Sequence, residues 1–238
     1  FDFWKWEFPL FFKQYHRTLG VAFLIFALAS AIGCVSALND SYFVRLILGD
    51  AYVNETLNNI SQGDPTAIYK GGSEIGSFLG ITLNNIKVAF YAFAFGVITS
   101  IGTAYILFSN GVMLGAFVTF FYTKGVFLEA NKQIWLHGTV EISVIIIAGC
   151  AGLIMGNSIL FPKTYSRRVS FMKGAKDGLK VVVSTIPFFI LAGFIEGFIT
   201  RYSQMPLWLS LFIIIASLTL ILFYYIAYPI ILNRKNAR

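Results

Sequence analysis

The sequence predicts an all-α integral membrane bundle of six transmembrane helices. Of its 238 residues, 57% are hydrophobic and only 12% are charged, and the mean hydropathy is +0.74. This composition excludes both a soluble globular domain and a disordered chain. The apolar residues also form runs of about 20, which at 1.5 Å per residue match a hydrocarbon core about 30 Å thick.

The chain opens with an aromatic-rich segment, residues 1–17, that contains Lys5, Lys13 and Arg17. Aromatic rings interleaved with cations are typical of a segment at the lipid headgroups, and we therefore predict an interfacial segment. Residues 18–38 are uncharged and form the first predicted span. Because the sequence begins with Phe1 and not with Met, we expect that further residues precede it, and the sequence leaves open whether they include a soluble region.

The only long polar stretch is residues 40–83, which we predict to be an external loop of short helices packed on the membrane surface. It contains five Asp and Glu residues against Arg45 and Lys70. Residues 42–48 are too short and too charged to span. Asp64 and Pro65 are suited to the N-cap and first position of a short helix.

Five more apolar runs follow, and with the first they predict a single six-helix domain over residues 18–238. A tight turn at Ser109-Asn110-Gly111 is predicted to join the second and third spans. A basic loop, residues 162–178, is predicted between the fourth and fifth. The predicted spans are 84–108, 111–128, 137–161, 179–200 and 206–232.

The distribution of Lys and Arg predicts the orientation. Twelve of the 18 lie in the N-terminal segment, in residues 162–180 and in residues 233–238, and six lie in all other connections. Since cytoplasmic segments carry the excess of positive charge, we expect both termini in the cytoplasm. The basic loop then faces anionic lipid, or else an acidic cytoplasmic partner. Its cations are Lys163, Arg167, Arg168, Lys173, Lys176 and Lys180.

The fourth span is expected to organise the bundle, with its polar residues at one end. His137 and Glu141 lie four residues apart and therefore on one face of its first turn. Given the orientation, other polar residues reach a similar depth in the outer leaflet. The predicted outer-leaflet polar cluster is Asn84, Asn85, Lys87, His137, Glu141, Glu196 and Arg201.

Two interpretations of this cluster remain open. It is either an outward-open pocket in which Glu141 and Glu196 bind a proton or a cation, or an ion-paired brace with Lys87 between the two glutamates. A metal held with His137 is the weakest version, because H-x-x-x-E lacks the second His or the Cys ligands that make zinc motifs specific. We therefore predict no metal and no cofactor.

Glycine pairs spaced four residues apart, and the strip of Gly149, Gly152 and Gly156 along one helix, predict close helix packing. Their spacing leaves open whether the partner helix belongs to the same chain or to a second copy in an oligomer. The predicted helix-packing glycines are Gly111, Gly115, Gly149, Gly152, Gly156, Gly193 and Gly197.

Several segments together resemble the stage II sporulation protein M family of multi-pass membrane proteins, in the version common in Bacteroidetes. The resemblance covers most of the second to fifth spans. The segments are N-N-I-K-V-A-F-Y-A-F-A-F-G-V-I-T-S-I-G-T (84–103), S-N-G-V-M-L-G-A-F (109–117), H-G-T-V-E-I-S-V-I-I-I-A-G-C-A-G-L-I-M-G (137–156) and P-F-F-I-L-A-G-F-I-E-G-F-I-T (187–200).

The resemblance implies a multi-pass protein of the bacterial inner membrane that is not an enzyme, since the namesake anchors cell-wall hydrolases. It also implies envelope partners outside the membrane, an ATPase or a cell-wall hydrolase among them, beside membrane lipid. We therefore expect a scaffold that is not an enzyme. Two alternatives stay open: a permease-like transport subunit working with a separate ATPase, and an intramembrane metalloenzyme using His137, Glu141 and Glu196. The charge pattern argues against nucleic acid as a partner, because the cations separate the spans instead of forming one face.

Overall fold

The computed structural model describes residues 2–71, 73–200 and 205–236. Within them the chain forms eight helices, six of which are long and apolar enough to cross a membrane, so the predicted all-α membrane bundle is confirmed. The six are α1 (Phe3–Asn39), α4 (Glu74–Ile98), α5 (Ser100–Thr123), α6 (Phe127–Leu160), α7 (Arg167–Ile199) and α8 (Leu207–Arg234). Two short helices, α2 (Ser41–Leu48) and α3 (Asp50–Ser61), lie between α1 and α4.

The central helix of the bundle is α6. It packs against α1, α4, α5, α7 and α8. In its most apolar window 67% of the residues are buried inside the protein, against 22% in α4 and in α8. Many residues of α4 and α8 present large apolar side chains outward, as lipid-facing helices do.

Helix α6 is longer than a bilayer requires. Its 34 residues extend about 51 Å, whereas a hydrocarbon core is about 30 Å thick. The prediction that His137 lies in its first turn is wrong, because the helix begins ten residues earlier, at Phe127. Ala130 and Ile134, in the added turns, belong to a second hydrophobic cluster with Val44 and Val53.

Residues 41–70, which we call the cap, consist of α2, α3 and a 3₁₀ turn at Ala67–Lys70. Asp40 caps α2 by accepting a hydrogen bond from the amide of Tyr42 at 2.8 Å. Gly49, at φ 86°, makes the corner between α2 and α3. Helix α4 starts at Glu74. The predicted external loop therefore ends at Ser73, and the prediction that it extends to residue 83 is wrong.

The turn predicted at Ser109-Asn110-Gly111 is wrong, because α5 runs through all three residues. The side-chain amide of Asn110 donates to the carbonyl of Ile106 at 2.8 Å, so it is satisfied within its own helix. Gly111 lies against α1, where a Cβ would meet the carbonyl oxygen of Phe26 at 2.6 Å. The chain reverses instead at Thr99, which has φ 84° and caps α5 through its hydroxyl.

Two other boundaries differ from the prediction. The basic loop is shorter, since α7 begins at Arg167 and carries Lys173, Lys176 and Lys180 as helical residues. The predicted interfacial segment, residues 1–17, is helical from Phe3 and forms the first part of α1. Its Phe8 and Phe12 are fully buried, and both rings contact Tyr225 of α8.

Candidate functional site

Three ionisable side chains from two helices meet inside the bundle. His137 and Glu141 lie on one face of α6, and Glu196 lies in a π-helical turn, Ile195–Ile199, at the end of α7. One potential ligand atom from each lies within 4.8 Å of the others. We call these three residues the triad. Only 5% of the His137 side chain and 12% of the Glu196 side chain are exposed.

Neutral polar groups hold the triad in place. The Nδ1 atom of His137 lies 3.1 Å from the hydroxyl of Thr200, and that hydroxyl lies 3.2 Å from the carbonyl of Ile195. The side-chain amide of Asn85, on α4, donates a short hydrogen bond to Glu141. On the other side of the imidazole, Nε2 lies 3.6 Å from a carboxylate oxygen of Glu196.

Three cavities border the triad. The first, of about 410 Å³, is lined by Asn84, Asn85, Glu141 and Glu196. The second, of about 400 Å³, reaches from His137 and Glu141 to Asn110. The third, of about 280 Å³, connects Glu196 with Tyr52 and Gly71 on the cap side. The carboxylates are therefore enclosed by helices but remain accessible to small polar species.

The predicted brace with Lys87 between the glutamates is wrong. Lys87 is exposed, and its ammonium lies 5.6 Å from the centroid of the Tyr91 ring. The reason is helical periodicity: Lys87 follows Asn85 by two residues and therefore projects about 200° away from it around α4. Across residues 2–71, 73–200 and 205–236, no Lys or Arg nitrogen lies within 4.0 Å of Glu141 or Glu196.

The other predicted cluster residues are placed differently. Asn84 is exposed but lines the first cavity. Arg201 lies outside the described residues. Thr200 contacts the triad, but no sequence pattern indicated this contact. A hydroxyl residue near a helix end commonly forms hydrogen bonds only with the local backbone.

All seven glycines singled out from the sequence lie where another helix approaches. A Cβ on Gly115 would meet the backbone of α1 at Cys34, and one on Gly156 would meet Ser100 of α5. The others face Phe26, Leu107, Ala92, Thr82 and Phe78, in the order Gly111, Gly149, Gly152, Gly193 and Gly197. Gly33 and Gly96 make equally close approaches, but they lack a second glycine four residues away and were not predicted.

The predicted basic residues lie at the opposite end of α7 from Glu196. All six are exposed. Two of them are placed over aromatic rings: Lys173 lies 5.3 Å from the ring centroid of Tyr165, and Lys180 lies 4.8 Å from that of Phe11. A further contact at this end was not predicted, a hydrogen bond of 2.6 Å from Tyr15 to the buried carboxylate of Asp177.

The model of one family, described as stage II sporulation protein M, matches residues 22–201. The chain belongs to this family. The match begins within α1 and continues through α7, and so includes the cap and the triad. No curated protein and no solved structure matches the chain. Family membership and the six apolar helices together identify a multi-pass membrane protein.

The chemistry available at the triad is cation binding. Two carboxylates and one imidazole converge in a bundle interior, where an ion without a partner is costly. An imidazole nitrogen with two carboxylate oxygens is a ligand set that divalent metals use. His137, Glu141 and Glu196 are the residues that could hold such an ion.

Proposed function

We propose that this protein is a non-enzymatic scaffold of the bacterial inner membrane, whose cap holds a partner in the cell envelope. The observation that supports this most strongly is that the cap is tied firmly to the bundle and yet presents an exposed polar face. Family membership agrees with this role, since the resemblance implies anchoring of envelope proteins.

The cap is braced both internally and against α6. The guanidinium of Arg45 donates to Asp50 at 2.8 Å and to Asn54 at 2.9 Å, which joins α2 to α3. The hydroxyl of Thr66 donates to Gln133 of α6, and both residues are buried. Beneath them the second hydrophobic cluster joins α2, α3 and the first turns of α6. A surface held in this way keeps its shape when a partner binds, which lowers the entropic cost of association.

The outward face of α3 is polar and exposed. Glu55 and Asn58 are exposed, as is Gln62, which follows the last residue of the helix, whereas Val53 and Thr56 on the inward face are buried. Such a one-sided helix has its apolar side already packed against the rest of the protein. Its outward side is therefore available for a polar partner.

The charge of the cap indicates what kind of partner fits. The cap contains three acidic residues, Asp50, Glu55 and Asp64, and two basic ones, Arg45 and Lys70, and two more acidic residues, Asp40 and Glu74, lie near its ends. Both basic side chains are paired, with Asp50 and Asp64 respectively. Asp40, Glu55 and Glu74 are exposed, so the cap and its two ends present negative charge to the solvent. Complementary electrostatics favour a partner with a basic surface.

The proposed orientation places the cap outside the cytoplasm. An even number of spans puts both termini on one side, and the excess of Lys and Arg at the termini and at residues 162–180 favours the cytoplasm for that side. The cap, which follows α1, then faces the periplasm or exterior. Envelope partners are found there.

The test is co-purification from native membranes with a charge-reversed cap. Glu55→Lys combined with Asn58→Lys changes exposed residues of α3 only, and Glu7→Lys, at an exposed position of α1, is the matched control. We expect the wild type and the control to co-purify with the same envelope partner. The double variant should recover at least tenfold less of that partner. Recovery of the chain alone from wild-type membranes would refute the proposal.

A second candidate, a permease-like subunit, is favoured by one observation: the cavities that border the triad. Under this hypothesis the carboxylates would lie on the route of a transported cation. Flux into proteoliposomes should then fall at least tenfold when Glu141→Gln and Glu196→Gln are combined. Flux that is unchanged in the double variant excludes the triad as the pathway.

A further inference from the structure

We propose that a groove between α1, α5 and α6 binds one anionic phospholipid, with the lipid phosphate at Arg17 and an acyl chain between α1 and α5. The groove is a cavity of about 360 Å³. This inference does not depend on the scaffold proposal, because Arg17 precedes the apolar run of α1 and the cap follows that run. The groove and the cap therefore lie at opposite ends of the bundle.

The first argument is the gradient of polarity along the groove. On each of the three helices a polar residue lines one end of the groove, and an apolar residue follows it one turn deeper on the same face. The three sets are Arg17, Val21 and Ile25 on α1, Ser100 and Ala104 on α5, and Asn157 and Leu153 on α6. The polar ends coincide because α5 is parallel to α1, whereas α6 runs in the opposite direction. A polar end that leads into an apolar channel fits an amphiphile.

The second argument is the length of the groove. Helix α1 rises about 12 Å from Arg17 to Ile25, and the hydrocarbon layer of one leaflet is about 15 Å thick. Just beyond Ile25 the two helices are in contact, since a Cβ on Gly111 would meet the carbonyl oxygen of Phe26 at 2.6 Å. A groove that closes at this depth suits an acyl chain of one leaflet. A partner helix, in contrast, would cross both leaflets.

The groove is also open sideways to the bilayer. Val21, on the α1 side, is 50% exposed, and Ile101, on the α5 side, is 76% exposed. Both residues line the groove, and Leu153 at its floor is buried. An acyl chain can therefore enter from the surrounding lipid without separation of the helices.

The third argument is the set of hydrogen-bond donors at the polar end. The hydroxyl of Ser100 donates to Oδ1 of Asn157 at 2.7 Å, which orients the amide and leaves its NH₂ group as a donor. Among the described residues, this NH₂ group, the hydroxyl of Thr18 and the guanidinium of Arg17 have no hydrogen-bond partner. A phosphodiester has only acceptors, and a guanidinium can bind two of its oxygens at once.

The fourth argument is charge. No carboxylate among the described residues lies within 4.0 Å of the guanidinium of Arg17, so its positive charge is available to a ligand. Arg17 directly precedes the uncharged residues 18–38 and so lies at the depth of the lipid headgroups. Basic pockets between membrane helices bind anionic headgroups. A zwitterionic headgroup fits less well, because its ammonium is repelled by Arg17.

The experiment reconstitutes the full chain in nanodiscs of phosphatidylcholine and phosphatidylglycerol and counts the retained lipids by native mass spectrometry. We expect the wild type to retain one phosphatidylglycerol per chain, at least fivefold in preference to phosphatidylcholine. Arg17→Gln should lose this preference, because the charged donor is gone. Arg168→Gln is the matched control, since it removes the same charge at an exposed position of α7, and it should keep the preference.

A second variant tests the apolar part of the groove without a change of charge. Ala104→Phe fills the space below the headgroup, and we expect retention of phosphatidylglycerol to fall at least fivefold. Ala94→Phe is the matched control, because it makes the same change at an exposed position of α4. Thermal denaturation separates loss of the site from loss of the fold. Phosphatidylglycerol should raise the Tm of the wild type and of both controls, but should leave that of Arg17→Gln unchanged.

The proposal is overturned if the wild type does not prefer phosphatidylglycerol or if Ala104→Phe retains it as the wild type does. Equal losses in Arg17→Gln and Arg168→Gln would also overturn it, since they would show diffuse attraction by charge. Glycerol phosphate, which has no acyl chain, should leave the Tm unchanged, and a rise as large as that with phosphatidylglycerol would show a site for soluble phosphates. None of these results affects partner binding by the cap, so the two proposals fail separately.

Discussion

Gly115 determines how closely α5 approaches α1. A Cβ at this position would lie 2.6 Å from the amide nitrogen of Cys34, and the neighbouring atoms are also backbone. Backbone atoms cannot move aside as the end of a side chain can. Small residues at such crossings allow the close packing on which membrane helices depend.

We therefore predict that Gly115→Leu separates α1 from α5 and destabilises the protein by about 1–3 kcal/mol or prevents folding. Gly20→Leu is the matched control, because the site on α1 has nothing within 4 Å of a Cβ and the gain in helix propensity is the same. Thermal unfolding in detergent provides the comparison. Equal melting temperatures for the two variants would contradict the packing role of Gly115.

Asp64 makes the cap sensitive to acid. Partial burial raises the pKa of its carboxyl, but the hydrogen bond and charge of Lys70 outweigh burial and hold that pKa below its usual range. A group with a depressed folded pKa contributes stability that is complete above its unfolded pKa, about 3.9, and is lost as the pH falls through the folded pKa. The pair is partly exposed, so its contribution is about 0.2–1 kcal/mol.

We predict that Asp64→Asn accelerates amide hydrogen exchange of residues 62–71 at about pH 7. The difference from the wild type should shrink at about pH 3, where the wild-type carboxyl is losing its charge. Exchange measured by mass spectrometry on the full chain at both pH values checks this. A difference that stays constant between them would show that Asp64 acts without its charge.

At the residue scale, helical periodicity and depth predicted that His137, Glu141 and Glu196 lie close together. The first two are one turn apart, and the direction of α7 brings Glu196 to the end where α6 begins. Periodicity also places Lys87 on the other face of α4 from Asn85. A prediction based only on depth in the membrane does not distinguish the two faces of the helix. The contact of Thr200 with the triad depends on the π-helical turn that precedes it, and no sequence pattern indicates that turn.

At the scale of elements, the corner between α4 and α5 carries local strain. Thr99 has φ 84°, a region that costs a non-glycine residue about 1–3 kcal/mol. Its hydroxyl accepts a hydrogen bond of 3.4 Å from the amide of Ile101, which is a weak cap. The corner is close to α6 as well, because a Cβ on Gly96 would collide with the backbone of Gly152.

We predict that Thr99→Gly stabilises the protein by about 1 kcal/mol, because relief of the positive φ exceeds the loss of the cap, which for glycine is only a few tenths of a kcal/mol. Thr99→Val should do the opposite, since it keeps the branched Cβ and removes the cap. Unfolding in a denaturing detergent measures both. If Thr99→Gly is less stable than the wild type, the cap contributes more to stability than the positive φ costs.

Element boundaries were harder to predict than the elements themselves. Ser109-Asn110-Gly111 has the composition of a turn, yet Gly111 is needed for packing against α1 and Asn110 bonds back to its own helix. The true corner, at Ile98-Thr99-Ser100, contains two β-branched residues and no turn signal. Tertiary packing of α4 and α5 on α6 determines where the chain reverses.

At the scale of the whole molecule, composition was sufficient to predict the six spans. An apolar segment in lipid must be helical, because only then are its backbone hydrogen bonds satisfied within the segment. The extent of α6 was not predictable in this way. Residues 129–136 include Glu129 and Lys132 and belong to none of the predicted spans. They are helical because Ala130 and Ile134 pack against the cap, a contact between segments far apart in sequence.

The proposed topology predicts which positions a membrane-impermeant maleimide reaches. In a background with Cys34→Ala and Cys150→Ala, Glu55→Cys on the cap should be labelled in intact cells. Lys176→Cys, which is also exposed, should be labelled only after the cells are permeabilised. The opposite pattern would place the cap in the cytoplasm and would exclude envelope proteins as its partners.

The scaffold proposal is tested most directly by photo-crosslinking in living cells from a probe at Asn58, on the exposed face of α3. Phe212, which is 65% exposed on the apolar surface of α8, is the control position. We predict a discrete crosslinked envelope protein from Asn58 and none of that size from Phe212. The same product from both positions, or no product from Asn58, would contradict a docking role for the cap.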